Sequence, residues 1–444
     1  MRAPKALVVC CALMSCAKLV GIHDYDGSDA GVRLMGDGGG DGGGSNPVPD
    51  CSLGLSQGGV CPRSLAVGVD DTCAIAPDGL YCWGQDVPGM SADAYVPKSV
   101  TTTTAPTLVA SSTSLDGFAS SFGTTCFLDG HANLTCWGNT EVGQALLQEQ
   151  RMVLTEEVLS LAFTPIDAVA VGGDHVVVSG GGSGVCWGAT SDHQCNTGPL
   201  GMADCDGFAT SCEITNTLGL GIELGTLTLA GRAHSCTSPD GSDGITCWGD
   251  DSLGQLGTEN AVAIGQVQLA GGSVLDVASG LALGANHSCA IVGSGADSET
   301  YCWGANDQGQ LGIDSSLQMS MTATPVMLSP GIHFAAIAAG SDTTCAIDTA
   351  TNVWCWGADT QGAAGQGPVT GAFLSLMKPT MTTVTDAMAI GVGYEHACAL
   401  LETGAIECWG DNSHGELGDG VTQHMNSPCG LDDCSWQPVT VKGH

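Results

Sequence analysis

Basic side chains are nearly missing from this chain. Ten Lys and Arg stand against 46 Asp and Glu in 444 residues, leaving a formal charge of −36. Binding a phosphate backbone needs clustered Lys and Arg to displace counterions, so the composition argues against nucleic acid as a partner. It argues equally against direct adhesion to an anionic membrane surface. Charged residues of both signs reach only 13% and aromatics 5%. No run approaches the ~20 apolar residues of a transmembrane helix. A Gly-rich phosphate loop with Lys and a His-Glu-x-x-His helix are missing. The chemistry those motifs carry, phosphate cradling and zinc proteolysis, is therefore not expected. The acidic residues form no pair with a definable spacing, which leaves a glycosidase without support. No cofactor is implied.

What the chain has in abundance is glycine, 67 residues, and cysteine, 23 residues. Many glycines with few aromatics point to turns and short strands. So many cysteines are out of place in a reducing cytosol unless they hold metal or do redox work. Zinc knuckles use C-x₂₋₄-C pairs, whereas the recurring gap here is 9 to 13 residues. Disulfides in an exported protein are the better reading.

The N-terminus agrees with export. Arg2 and Lys5 precede an apolar run from Ala6 to Met14, the layout of a signal peptide over residues 1–15. Leu13-Met14-Ser15-Cys16 resembles the bacterial lipobox, in which the Cys takes a lipid and becomes the new N-terminus. Ser15-Cys16-Ala17 also fits plain cleavage, and lipidation of Cys16 is the favoured of the two. Residues 16–50, rich in Gly and Asp, form a flexible tether with a reach of roughly 30 Å. The expected location is the bacterial envelope, lipid-anchored at the outer membrane or in the periplasm, or outside the cell.

Cys-Trp-Gly occurs seven times, at Cys82, Cys136, Cys186, Cys247, Cys302, Cys355 and Cys408, at steps of 50 to 61 residues. Composition alone would give about 0.07 copies, so the chain is built of repeats. In the last copy an apolar segment, Asp386–Gly391, leads to Tyr394–Leu400. A turn at Glu402-Thr403-Gly404 follows, then a returning strand to Trp409 and a Gly-rich connection, Asp411–Gly418. Strand, hairpin and Gly-rich turn at a fixed period predict antiparallel β structure, and seven such units predict an all-β, seven-bladed β-propeller over residues 51–444.

The repeat resembles that of the regulator of chromosome condensation family. His287-Ser288-Cys289-Ala290, Cys302-Trp303-Gly304 and Asn306-Asp307-Gln308-Gly309-Gln310-Leu311-Gly312 carry the likeness. His234 with Gly254-Gln255-Leu256-Gly257 matches equally well, and the first, second, third and sixth copies are more degenerate, the third with no such tail near Thr190. The resemblance implies a seven-bladed propeller whose repeat His is a per-blade hydrogen-bonding residue. Inner repeats follow a Pro-containing strand such as Thr324–Leu328, and the chain ends on a similar one, Gln437–Val441. The C-terminal strand is therefore expected to complete the first blade and close the ring.

Six copies of Cys-Trp-Gly have a second Cys upstream across a predicted hairpin. The expected bridges are Cys73–Cys82, Cys126–Cys136, Cys236–Cys247, Cys289–Cys302, Cys345–Cys355 and Cys398–Cys408, because facing residues of antiparallel strands lie within disulfide range. The third copy has Val177 in place of the first Cys and an insertion, 188–226, with Cys195, Cys205 and Cys212. Cys186–Cys195 and Cys205–Cys212 would pair locally, though four cysteines allow three connectivities. Cys51–Cys61 and Cys429–Cys434 would close short loops near the ends. With Cys10 and Cys11 removed and Cys16 lipidated, 20 cysteines remain, an even set.

His175, His234, His287 and His396 recur at one repeat position, which Asp71, Thr124 or Thr125, and Thr343 or Thr344 occupy or flank elsewhere. A slot that varies in this way is structural and not a metal ring. The repeated Trp reads as packing between blades. No catalytic, cofactor or metal residue is expected. The functional expectation is a non-enzymatic, monomeric, envelope-anchored module that binds an unidentified protein partner, the insertion 188–226 being the preferred contact. It touches the membrane only through its anchor. The alternatives are a tethered or secreted protein inhibitor and a hydrolase or lyase with its site at one propeller face.

Overall fold

In the computed structural model the described residues are 64–76, 79–88, 100–110, 115–121, 123–129, 133–138, 159–160, 168–180, 183–188, 194, 224, 227–239, 244–259, 263–313, 316–367, 375–424 and 433–443. The signal peptide, the tether and most of the insertion 188–226 lie outside them, as do Cys16, Cys51, Cys61, Cys195, Cys205, Cys212 and Cys429.

The fold is an all-β propeller. Its first sheet is β1 (Ser64–Val67), β2 (Asp71–Ala76), β3 (Gly79–Pro88) and β4 (Val100–Ala110). The second is β5 (Leu115–Ser121), β6 (Thr124–Asp129), β7 (Asn133–Gly138) and β8 (Leu159–Ser160). Next comes a three-stranded sheet of β9 (Ala168–Val171), β10 (His175–Gly180) and β11 (Ser183–Gly188). Four more four-stranded sheets follow. They are β12 (Leu227–Ala230), β13 (His234–Ser238), β14 (Thr246–Gly249) and β15 (Ile264–Gln266); then β16 (Ala278–Leu283), β17 (His287–Val292), β18 (Glu299–Ala305) and β19 (Met319–Pro325). The last two are β20 (Phe334–Ala339), β21 (Thr343–Asp348), β22 (Val353–Gly357) and β23 (Leu376–Met381), and β24 (Ala387–Val392), β25 (His396–Leu401), β26 (Ile406–Asp411) and β27 (Cys434–Thr440). Every pairing is antiparallel between sequence neighbours, so each repeat makes one locally wound sheet.

The Pro-containing strands correct the expected boundaries. β19 pairs with β18 and β23 with β22, so each ends its own repeat's sheet and does not open the next. The C-terminal strand follows the same rule. β27 pairs with β26 of the last sheet, Cys408 opposite Val439. It does not complete the first sheet, whose outer place β4 already fills. Loop length does not decide this, since the connection from β18 to β19, 306–318, is longer than the one on to β20, 326–333; the register does.

The core lies between sheets. Ala66, Cys73 and Leu80 of the first sheet share one buried cluster with Phe118, Cys126 and Trp137 of the second and Val169 and Val176 of the third. Ala338 and Cys345 of the sixth join Ile390 and Trp409 of the last. Leu65, Val67 and Trp83 join Leu400, Cys408 and Leu417, so the last sheet packs on the first. Burying a large apolar side chain contributes about 1.5–3 kcal/mol, and these shared clusters stabilise pairs of sheets, not single ones. Small residues let the innermost strands converge. A Cβ on Gly393 would overlap the Gly68 carbonyl, which places the two backbones in contact near the axis.

Candidate functional site

The repeated polar residues form latches between neighbouring sheets. His287 Nε2 lies 2.8 Å from Thr344 Oγ1 on the next sheet, and the Thr344 hydroxyl donates in turn to the Gln310 carbonyl at 2.9 Å. Ser288 Oγ donates to the Gln255 carbonyl, 3.1 Å away, and accepts from His234 Nε2 at 2.9 Å. Because the hydroxyl proton is committed to the carbonyl, the imidazole must be the Nε2–H tautomer. The Nδ1 atoms of His234, His287 and His396 are buried and without a hydrogen-bond partner, and in that tautomer each leaves only a lone pair bare and no stranded N–H. Burial holds all three imidazoles down at about 3, so they stay neutral. His175 reaches Ser235 Oγ at 2.6 Å, and His396 reaches Thr72 Oγ1 at 2.9 Å across the seam between last and first sheets.

The slot itself is the residue opposite the Gly of Cys-Trp-Gly: Asp71, Thr124, His175, His234, His287, Thr343 and His396. Thr125 and Thr344 are receivers. Asp71 accepts from Thr125 Oγ1 at 3.2 Å and from Ser120 at 3.0 Å, standing in for His. Thr124 and Thr343 face sheets whose receiver position holds Val176 and Ala397, which have no hydroxyl. Thr343 turns instead to the Ala358 carbonyl of its own repeat at 2.8 Å. The slot residue therefore follows the chemistry of the next sheet.

The tryptophans make the second latch. Trp83, Trp248, Trp303, Trp356 and Trp409 donate Nε1–H to the carbonyls of Glu416, Gln194, Gln255, Gln310 and Ala363 at 2.7–2.9 Å. All five are buried. Their faces pack between sheets and are closed to a ligand, as their repetition suggested. The Gly that follows each Trp is required: Gly304 has φ +100, and a Cβ there would lie 2.5 Å from the Asn286 carbonyl oxygen.

Two matches to family models now fit this geometry. Both are described as Regulator of chromosome condensation (RCC1) repeat, one over residues 297–347 and one over 334–363 and 389–416. The chain carries RCC1 repeats. Among curated relatives, human E3 ubiquitin-protein ligase HERC2 is 25% identical over 236 residues, 52% of this chain and 5% of HERC2. The Ultraviolet-B receptor UVR8 of Arabidopsis thaliana is 28% identical over 222 residues, 47% of this chain and 48% of UVR8. The chain thus spans half or less of the length of these relatives. Among solved structures, human WBSCR16 is similar with a TM-score of 0.62 at 18% identity, covering 80% of this chain and 89% of that one. That likeness concerns the fold.

The third repeat lacks the Gly-Gln-Leu-Gly tail, as its sequence indicates, but it keeps the tail's Gln. Gln194 lies seven residues after Trp187, as Gln310 lies after Trp303. Its carbonyl takes the Trp248 indole, and its amide donates to Asp174 Oδ2 at 3.2 Å. Counting from the Trp would have found it; the missing Gly and Leu of the motif hid it.

The six expected cysteine pairs face each other in register and sit at disulfide distance. Val177 faces Cys186 in the third sheet, where the repeat Cys is replaced. Cys186 and Cys434 are disulfide-bonded as well, and Cys186 Sγ lies 3.6 Å from the carbonyl of Gln194, the neighbour of Cys195.

Outside the latches, two clusters stand out among the described residues. Asp419 and Asp433 hold His424 from both sides, at 3.1 and 3.0 Å, within the last connection. Asp70, His414 and Glu416 converge at the seam between the last and first sheets. Glu416 is fully buried, and burial with the nearby Asp411 raises its carboxyl to about 7. A surface feature lies elsewhere. Ile313, Met327, Ser375, Leu376, Met377, Lys378 and Thr380 line a groove beside the fifth and sixth sheets. Met327 is 58% exposed, and Met377 of the same groove is exposed as well. Sequence reading missed this patch, because Ile313 and Met327 flank β19 while the other lining residues lie on or beside β23 in the next repeat.

Proposed function

We propose that this RCC1-repeat propeller is a non-enzymatic protein-binding module, exported and held at the bacterial envelope by a lipid on Cys16. We further read the seven sheets as seven blades of one ring, with the last packed on the first, and the 20 cysteines of the mature chain as ten bridges. The observation that carries the binding role is the groove where Met327, just past β19, meets Met377 of β23. A contiguous exposed apolar patch marks an interaction surface, and flexible thioether side chains adapt to a partner's shape. The repeated His and Trp are consumed in latches, which leaves outer strands and loops to vary with the partner. The insertion 188–226 is the second candidate contact.

The test is in-cell photocrosslinking in an exporting bacterium, with the crosslinker at position 327 or within 188–226. One specific protein adduct from position 327, lost in Met377→Asp, supports the groove. An adduct only from the insertion moves the contact there, and no adduct from either overturns the reading. Intact mass of the mature N-terminus separates a lipidated Cys16 from plain cleavage.

A further inference from the structure

We propose that Asp70, His414 and Glu416 bind a divalent transition-metal cation at the seam where the last sheet meets the first. One potential ligand atom from each lies within 4.8 Å of the other two. The reason to expect a cation comes from comparing this seam with the one between the fifth and sixth sheets. Gln310 and Glu416 are equivalent, since each follows a turn Gly and each gives its carbonyl to the Trp of the next sheet. Asp342 and Asp70 are equivalent, since each precedes the residue opposite the Gly of Cys-Trp-Gly.

Between the fifth and sixth sheets an amide meets a carboxylate: Gln310 Nε2 donates to Asp342 Oδ1 at 3.2 Å. At the closing seam a carboxylate meets a carboxylate. Two carboxyl groups held together, one of them on the fully buried Glu416, repel when both are ionised unless a cation joins them. The chain places an imidazole there. His414 Nδ1 lies 3.1 Å from Glu416 Oε1, and its backbone N–H fixes Glu416 Oε2 at 2.8 Å.

β4 lies against Gly415, with the Thr103 carbonyl 2.8 Å from where a Cβ would stand. The Thr103 hydroxyl oxygen is buried with no hydrogen-bond partner. One imidazole nitrogen and two carboxylates suit Zn²⁺ or Mn²⁺, with water completing the shell. The half-exposed His414 gives the ion a way in. Nothing in the local sequence announces the site, because Asp70 and His414 come from opposite ends of the ring.

The test uses the full chain stripped with EDTA and titrated with Zn²⁺, Mn²⁺ or Mg²⁺, reading the thermal midpoint and calorimetric stoichiometry. Zn²⁺ or Mn²⁺ should raise the midpoint through one saturable site, with Mg²⁺ much weaker. Glu416→Gln restores the amide found between the fifth and sixth sheets, so it should fold and melt above the metal-free parent. Its affinity for the cation should fall at least about tenfold, and Asp70→Asn should behave likewise. Asp433→Asn, in the other His cluster, should keep the parent response. Equal responses in the parent and Glu416→Gln would place the ion elsewhere on this acidic surface and overturn the site. No response in the parent would mean that a proton joins the carboxylates, which also overturns it.

Discussion

His287 Nε2 and Thr344 Oγ1, from the fifth and sixth sheets, lie 2.8 Å apart, and the next seam replaces the pair with Thr343 and Ala397. The two solutions are alternatives for one interface, which makes a double-mutant test possible. Thr344→Val leaves the buried imidazole N–H without an acceptor and should destabilise by about 1–3 kcal/mol. His287→Thr alone should also destabilise. Together they reproduce the neighbouring solution, so the double variant should lose less than the sum, with a coupling of about 1 kcal/mol. Denaturant unfolding of the four proteins measures this, and additivity would dissolve the latch as a unit.

Much of this interface was legible in sequence. Spacing from Cys-Trp-Gly placed the hairpins, the facing cysteines and the histidine slot, because each is local to one repeat. The ownership of the Pro-containing strands was not legible. A strand between two Cys-Trp-Gly hairpins can pair with either, and only its register, as of Cys302 with Thr324, decides. The Asp70, His414 and Glu416 cluster and the methionine groove were hidden for a related reason: both arise where different repeats meet, and no period within one repeat brings their residues together.

The neutral histidines have a consequence for acid stability. His234, His287 and His396 are held at about 3 by burial, whereas the unfolded chain takes up these protons near 6.5. The unfolded state therefore binds more protons between those values. The stabilisation is complete above pH 6.5 and is lost as pH falls toward 3, by about 1.4 kcal/mol per pH unit for each imidazole. Nitrogen NMR at pH 5 should show three neutral Nε2–H rings. Imidazolium signals from them at that pH would contradict the latch.

Asp359 works in the opposite sense. Burial raises its carboxyl to about 8, while one oxygen accepts the Ala364 N–H at 2.9 Å. At the same repeat position Asn306 and Asn412 donate their amides to the Leu317 and Val421 carbonyls. A protonated Asp can imitate that amide, and an ionised one cannot. The folded protein thus holds an extra proton between pH 4 and 8, and its stability falls as pH rises through that window. Asp359→Asn should be near neutral at pH 4 and stabilising by a few kcal/mol at pH 9. Asp251→Asn should act alike over a narrower window, since Asp251 is raised to about 6 and its Oδ2 is buried without a partner. Melting curves at the two pH values decide; equal shifts at both would rule out the protonated carboxyl.

The paired cysteines can be tested against the sheet that does without them. In the third sheet Val177 faces Cys186, and the three strands still pair in register. A repeat can therefore lose its cross-strand pair without losing its hairpin. In the sixth sheet Cys345 faces Cys355 across a separation of 10 residues. Closing so short a loop is worth about 2–3 kcal/mol in the chain-entropy model. Cys345→Val with Cys355→Ala should fold, keep its sheet content and lose about that much stability. Dithiothreitol should lower the parent's midpoint further than the variant's. Non-reducing peptide mapping should recover Cys345 linked to Cys355, and alkylation of either thiol in the unreduced parent would remove the bridge from the account.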